Sequence, residues 1–150
     1  MGCYKLHGDV NDCGLSVSVA MTFASLHDNQ VAIPLMKISS FRVTYCYDVM
    51  DGVYGAGPIY DVSRSLCHVS IIDNNSRGKD TIPMDPHEAS RYKKRSAVER
   101  FNSRLKEEFG GCNVMVRGVQ KVKAHLIFGV IAIFADQLLK LVSWSFSNMA

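Results

Sequence analysis

The stretch that decides the fold reads PHEASRYKKRSAVERFNSRLKEEFGG, residues 86–111. It begins with a proline, which suits the first turn of a helix, and it ends in Gly110-Gly111, which favours a stop. No further proline or glycine interrupts the interval, and most of its residues favour helix. The pattern therefore predicts a long α-helix over residues 86–109.

Four polar side chains of this predicted helix fall on one stripe. At about 100° per residue they share an arc of roughly 60°; they are Tyr92, Arg95, Glu99 and Lys106. A separate apolar face would consist of Val98, Leu105 and Phe109. Such a stripe could bring one carboxylate to a metal ion and several bases to phosphates. The alternative is a solvated helix in which Arg95 and Glu99 form an ordinary i,i+4 ion pair.

The remaining segments predict strands and helices in alternation. Two apolar runs, 3–10 and 15–24, flank the turn-forming cluster Asn11-Asp12-Cys13-Gly14 and predict a hairpin. Further along, the expected order is a short helix over 30–39, a buried strand ending at 47–50, a helix over 58–67, a strand over 68–72, an exposed loop over 73–86, a strand or loop over 113–117 and a terminal helical region over 118–142. This alternation predicts an α/β fold with a mixed sheet.

Asp51 directly follows the predicted strand and precedes Gly52. An aspartate in that position is more often a turn former than a metal ligand. The position of Asp51 therefore leaves both interpretations open.

The positive charge of the chain is concentrated in one segment. Residues 91–125 hold ten Lys or Arg and three acidic residues, a net charge of +7, whereas the rest of the chain carries −4. A basic segment of this kind indicates a polyanionic partner, most commonly nucleic acid. Charge alone fits a solvated helix face equally well.

The cysteines and the apolar segments are typical of a cytosolic protein with reduced thiols. Five scattered cysteines show no metal-ligand spacing, so neither a zinc site nor a disulfide framework is predicted. The N-terminus has no signal-peptide character. Residues 126–142 are the most apolar stretch but contain Asp136, Gln137 and Lys140, so we expect a helix buried against a sheet and no membrane span.

Several of these segments resemble one large group of insertion-sequence DDE transposases. The signature around the last catalytic glutamate of that group is Tyr-x2-Arg-x3-Glu-x6-Lys, and Tyr92, Arg95, Glu99 and Lys106 match it at every spacing. Other segments similar to the family are GCYKLH at 2–7 (against GYKLH), ASLHD at 24–28, MDGVY at 50–54 and VRG at 116–118. The resemblance runs from about residue 2 to about residue 142.

The resemblance implies an RNase H-like fold, in which a mixed sheet is flanked by helices and carboxylates meet at one edge. Asp51 and Glu99 would be catalytic and would hold Mg²⁺ or Mn²⁺, and Tyr92, Arg95 and Lys106 would contact DNA. The implied reaction is metal-dependent cleavage and transfer of DNA strands during transposition. The implied partners are the DNA of the element ends and of the target, together with full-length transposase or a second copy of this chain. The implied location is the bacterial cytoplasm, in association with the nucleoid.

The chain departs from the family at its front. The first catalytic aspartate of the family lies on a strand before the GYKLH-like segment, and Asp9 and Asp12 follow that segment instead. We therefore expect residues 1–150 to form a single truncated DDE catalytic domain whose sheet lacks its first strand, and whose binding of metal is weakened. The isolated chain would be nearly inactive. The alternatives are a non-catalytic remnant that binds DNA or interferes with transposase, and an α/β domain whose charges are only solvated surface.

Overall fold

The computed structural model describes residues 4–73 and 83–147, and there it has four strands and five α-helices. The strands are β1 (Tyr4–Val10), β2 (Ser16–Phe23), β3 (Tyr47–Met50) and β4 (Val69–Ile72). The helices are α1 (Asn29–Arg42), α2 (Gly57–Ser65), α3 (Pro86–Tyr92), α4 (Ser96–Glu107) and α5 (Val119–Ser147). Short 3₁₀ turns span Gly52–Tyr54 and Lys93–Arg95. The predicted α/β class is confirmed.

The first two strands form the predicted hairpin. Asn11 organises its turn, because the side-chain Oδ1 accepts the N–H groups of Cys13 at 3.1 Å and Leu15 at 2.9 Å. Gly14 adopts φ +80°, a conformation that glycine reaches at little cost. The turn chemistry of Asn and Gly therefore sets the hairpin where the sequence predicts it.

The third and fourth strands are parallel, with α2 connecting them. Their register pairs Tyr47 with Val69 and continues to Met50 with Ile72. Parallel neighbours need a crossover connection, and the helix predicted over 58–67 supplies it. Asp51 thus follows the carboxyl end of β3, as the sequence predicts.

The single mixed sheet expected from the sequence is not found. The strands of the described residues form two pairs, β1 with β2 and β3 with β4. A hairpin and a parallel pair become one sheet only through direct pairing or a bridging strand, and residues 4–73 and 83–147 contain neither. In the predicted loop over 73–86, residues 74–82 lie outside the described part, and 113–117 form no regular element.

The chain divides into two compact units. The first comprises Met1–Asp9 and Val17–Ser96, and the second comprises Val10–Ser16 and Ala97–Ala150. In the first, Ala32, Met36, Ile59 and Ile72 form a buried cluster between α1, α2 and β4. Ser39 of α1 meets Ser18 of β2 through a buried hydrogen bond of 2.6 Å, which ties the helix to the hairpin.

The long helix predicted over 86–109 is interrupted. Residues 86–107 are helical, but Lys93–Arg95 tighten into a 3₁₀ turn between α3 and α4. The predicted apolar face also shifts, since α4 buries Ala97, Phe101 and Leu105 while Val98 and Phe109 are only half-buried. Residues 97, 101 and 105 are spaced i, i+4, i+8, which is the usual apolar stripe of a packed helix.

Helix α5 extends the predicted terminal helix and packs on α4 within the second unit. Its inner stripe is buried and consists of Val122, Leu126, Val130 and Ile133. A Cβ on Gly129 would lie 2.9 Å from the backbone carbonyl oxygen of Phe109 and 2.8 Å from Leu105 Cδ1, so glycine permits the close approach of α5 to this backbone. Arg104 of α4 also donates to Asp136 of α5 over 2.6 Å.

The outer face of α5 is exposed, so the predicted burial of this helix is wrong for that face. Phe128 is 71% exposed and Leu139 is 70% exposed. Among the described residues, Val119–Trp144 is the one stretch long and apolar enough to cross a membrane, with a mean hydropathy of 1.9. A core helix of a water-soluble protein meets the same criteria, so length and composition by themselves assign no membrane.

Candidate functional site

The candidate site begins with Asp51, at the carboxyl end of the parallel pair β3–β4. Its Oδ1 accepts the N–H of Gly52 at 2.8 Å and so caps the 3₁₀ turn Gly52–Tyr54. The turn-forming role that sequence reasoning left open is therefore present. The side chain is nonetheless 54% exposed, so the carboxylate remains accessible to a ligand from solvent.

Gly52 is required by packing. A Cβ at this position would clash with the backbone carbonyl oxygen of Asp73, the residue directly after the neighbouring strand β4. Gly52 therefore lies in close contact with the residue that directly follows β4. Sequence reasoning placed Asp73 only at the start of an exposed loop, because the strand register that brings it beside Gly52 cannot be read from the sequence.

Arg95 joins the candidate site from the 3₁₀ turn Lys93–Arg95. Its Nη1 donates to Asp51 Oδ2 over 3.3 Å, across 44 residues of chain. Its guanidinium carbon also lies 5.6 Å from the centroid of the Tyr92 ring, within the range of a cation–π contact. The structure thus brings together three of the five predicted site residues.

The 3₁₀ turn Lys93–Arg95 begins directly after Tyr92, and the i,i+3 spacing of Tyr92 and Arg95 favours their contact in either kind of helix. In a 3₁₀ helix the side chains at i and i+3 eclipse each other, whereas they are offset in an α-helix. The four-residue stripe is drawn on one continuous α-helix, and this turn interrupts that helix after Tyr92. That all four residues share one stripe stays a prediction.

Glu99 and Lys106 lie on α4, in the second unit. Both are exposed, and their i,i+7 spacing puts them on the same side of the helix. That side is distinct from the buried stripe of Ala97, Phe101 and Leu105. α4 therefore presents the last two residues of the signature to solvent.

Tyr54 closes the loop that starts at Asp51. Burial raises the pKa of its hydroxyl, and the negative charges of Asp28 and Asp51 raise it further. Asp28 is held in place by Lys5 of β1, whose Nζ lies 2.9 Å from Asp28 Oδ1. Two segments singled out by the resemblance, around Lys5 and around Asp28, therefore meet through this ion pair.

A buried polar network lies behind the candidate site and has no counterpart in the sequence analysis. Asp48 of β3 accepts the hydroxyl of Ser63 of α2 at 2.5 Å, and its Oδ2 lies 3.2 Å from His68 Nδ1. The side chains of Asp48 and His68 are both nearly inaccessible to solvent. The network links β3 and α2 to His68, the residue directly before β4. Its member Asp48 lies three residues before Asp51 in the chain.

The donor chemistry of Asp51 fits a hard divalent cation, because carboxylate oxygens are the ligands that Mg²⁺ prefers. Within residues 4–73 and 83–147, no three His, Cys, Asp or Glu side chains come together as a metal-binding group. The cysteines described, Cys13, Cys46, Cys67 and Cys112, are exposed and free.

Comparison with known proteins places these residues in context. A family model described as "Transposase DDE domain" matches residues 1–135, which include all five candidate residues from Asp51 to Lys106. No curated protein and no solved structure matches the chain.

Proposed function

We propose, given that this chain belongs to the transposase DDE-domain family, that Asp51 and Glu99 are two of the carboxylates that hold its divalent metal ions. The family acts in DNA transposition by cleaving and transferring DNA strands. The contact between Arg95 and Asp51 supports the proposal, because it joins a signature residue to the aspartate of the MDGVY segment, 44 positions away.

Each residue has a defined part in this proposal. Asp51 and Glu99 supply hard oxygen ligands, and Arg95 and Lys106 neutralise DNA phosphates as fixed positive charges. Tyr92 orients Arg95 through its ring. Bound Mg²⁺ or Mn²⁺ would supply Lewis-acid activation for attack on a phosphodiester. These residues would then position the DNA backbone at the metal.

The parallel pair β3–β4 offers a place for this chemistry. Its carboxyl end, where Asp51 follows β3, corresponds to the edge at which the acidic residues of an RNase H-like sheet would meet. The proposed reaction uses three carboxylates, and this chain supplies matches for two. We therefore expect Asp51 and Glu99 by themselves to hold the metal ions more weakly than three carboxylates would.

Metal binding tests the ligand assignment without relying on activity. Mn²⁺ is titrated into the full chain, and the free ion is followed by electron paramagnetic resonance. Asp51→Asn and Glu99→Gln should each weaken binding by about tenfold or more. Asp61→Asn is the matched control, because Asp61 is 75% exposed and pairs with Arg64 on α2. Equal binding by Asp51→Asn and Asp61→Asn would remove Asp51 from the metal site.

The sharing of a cation by Asp51 and Glu99 has its own test. Fe²⁺ bound in place of Mg²⁺ generates hydroxyl radicals on addition of peroxide, and these cut the backbone close to the metal. Cuts near both residue 51 and residue 99 support a shared ion. Cuts near only one of the two residues contradict the proposal. A separate assay measures Mg²⁺-dependent nicking of DNA, and nicking that persists when both carboxylates are replaced by Ala also contradicts it.

A second candidate function is DNA binding without cleavage, as a remnant that interferes with full-length transposase. The +7 charge of residues 91–125 favours it. Its test is the salt dependence of binding to duplex DNA, since release of counterions makes the affinity fall steeply with salt. Binding that is indifferent to salt would argue against this function.

A further inference from the structure

The guanidinium of Arg95 lies where a cation would bind Asp51. Nη1 of Arg95 is 3.3 Å from Asp51 Oδ2, and the N–H of Gly52 occupies Asp51 Oδ1 at 2.8 Å. Each carboxylate oxygen of Asp51 therefore already has a donor. The Arg95 side chain is 32% exposed, so this ion pair is open to exchange with ions from solvent.

We propose that Arg95 is the counter-ion of Asp51 before metal binding, and that a divalent cation displaces it. This inference rests on the proposed function, which makes Asp51 a metal ligand. A Mg²⁺ ion would lie about 2.1 Å from its carboxylate oxygen, and a guanidinium at the same oxygen would then face a like charge within a few ångströms. Repulsion at that distance makes the two cations compete for Asp51.

The displaced guanidinium has a second contact available. The Tyr92 ring lies 5.6 Å from the guanidinium carbon of Arg95, so Arg95 can leave Asp51 and still remain beside the ring. In that position its donors become available to a DNA phosphate. Arg95 would thus be withheld from DNA until the metal is bound.

Linkage makes this coupling reciprocal. The pairing of Arg95 with Asp51 lowers the metal affinity by some factor. Bound metal, which breaks this pair, raises the affinity of Arg95 for phosphate by the same factor. Arg95 is therefore a positioning residue whose partner changes with metal occupancy. A residue that only stabilised the fold would have no such effect on metal affinity.

Lys94 provides the matched control for Arg95. It belongs to the same 3₁₀ turn, carries the same charge and is exposed. Lys94→Gln and Arg95→Gln therefore remove equal charge from neighbouring positions. Any difference between them reports the contacts of the Arg95 side chain, among them that with Asp51, and not the general electrostatic field.

The test measures Mn²⁺ affinity of the full chain at low ionic strength, with free Mn²⁺ followed by electron paramagnetic resonance. Arg95→Gln should bind Mn²⁺ roughly two- to fivefold more tightly than Lys94→Gln, as expected for loss of a partly exposed ion pair. Equal or weaker binding by Arg95→Gln would overturn the inference. If circular dichroism shows that Arg95→Gln has lost its helices, Arg95→Lys replaces it. Lysine keeps the charge without the planar fork, so tighter binding than wild type is again expected, and unchanged binding overturns the inference.

The variant Asp51→Asn separates this inference from the proposed function. If Asp51→Asn binds Mn²⁺ as wild type does, the metal assignment itself fails. If Asp51→Asn loses binding while Arg95→Gln and Lys94→Gln behave alike, only the counter-ion role of Arg95 fails.

Discussion

At the scale of single residues, the position of the Asp51 carboxylate depends on the missing side chain of Gly52. A Cβ on Gly52 would clash with the carbonyl oxygen of Asp73. Both positions belong to the backbone, so neither can move away as a side chain could. Gly52→Ala should therefore lower the free energy of unfolding by about 1–3 kcal/mol, measured by urea denaturation. It should also weaken Mn²⁺ binding, because the loop that carries Asp51 must move.

Gly57 provides the control for this prediction. A Cβ on Gly57 would meet no heavy atom within 4 Å, and Gly57 lies in the first turn of α2. Gly57→Ala should leave stability unchanged or raise it by up to about 1 kcal/mol. If the two alanine variants have the same urea midpoint, the contact between Gly52 and Asp73 does not constrain Asp51.

At the scale of elements, the buried carboxylate of Asp48 connects β3 to α2 and to the start of β4. Asp48→Ala would leave the Ser63 hydroxyl and the His68 ring without their buried acceptor. We expect a loss of about 2–5 kcal/mol in the free energy of unfolding, again measured in urea. Asp61→Ala breaks an exposed pair with Arg64 on α2 and should change stability by less than about 0.5 kcal/mol. A similar small change for Asp48→Ala would show that the network does not hold these elements together.

At the scale of the whole molecule, we expect the exposed outer face of α5 to limit solubility. Phe128 and Leu139 are 71% and 70% exposed, and Ile131 on the same side of the helix is 55% exposed. Contiguous apolar surface of this kind promotes association. Replacing all three residues by Gln should lower the light scattering at a given protein concentration by about half or more. The helical signal in circular dichroism should persist. Ile133→Ala, on the buried stripe, should instead cost about 2–5 kcal/mol of stability. Unchanged scattering in the triple variant would exclude this face as the cause.

The elements of this fold were largely predictable because their signals are local. Asn11 and Gly14 fix the hairpin turn, Pro86 and Gly110-Gly111 bound the helical segment, and the apolar run before Asp51 sets β3. The family was predictable as well, because the signature from Tyr92 to Lys106 depends only on residue types at fixed spacings. The 3₁₀ turn Lys93–Arg95 was not, since the helix propensities of its residues give no sign of it.

The residues by themselves determined the order of strands and helices, the basic segment and the membership in the DDE transposases, because each of these depends on neighbours along the chain. Tertiary structure alone decided that Arg95 meets Asp51, that Gly52 lies against Asp73, and that Asp48 gathers Ser63 and His68. Those contacts join residues that are distant in sequence. Their formation depends on strand register and on how helices pack, and side-chain periodicity within one segment carries no information about either.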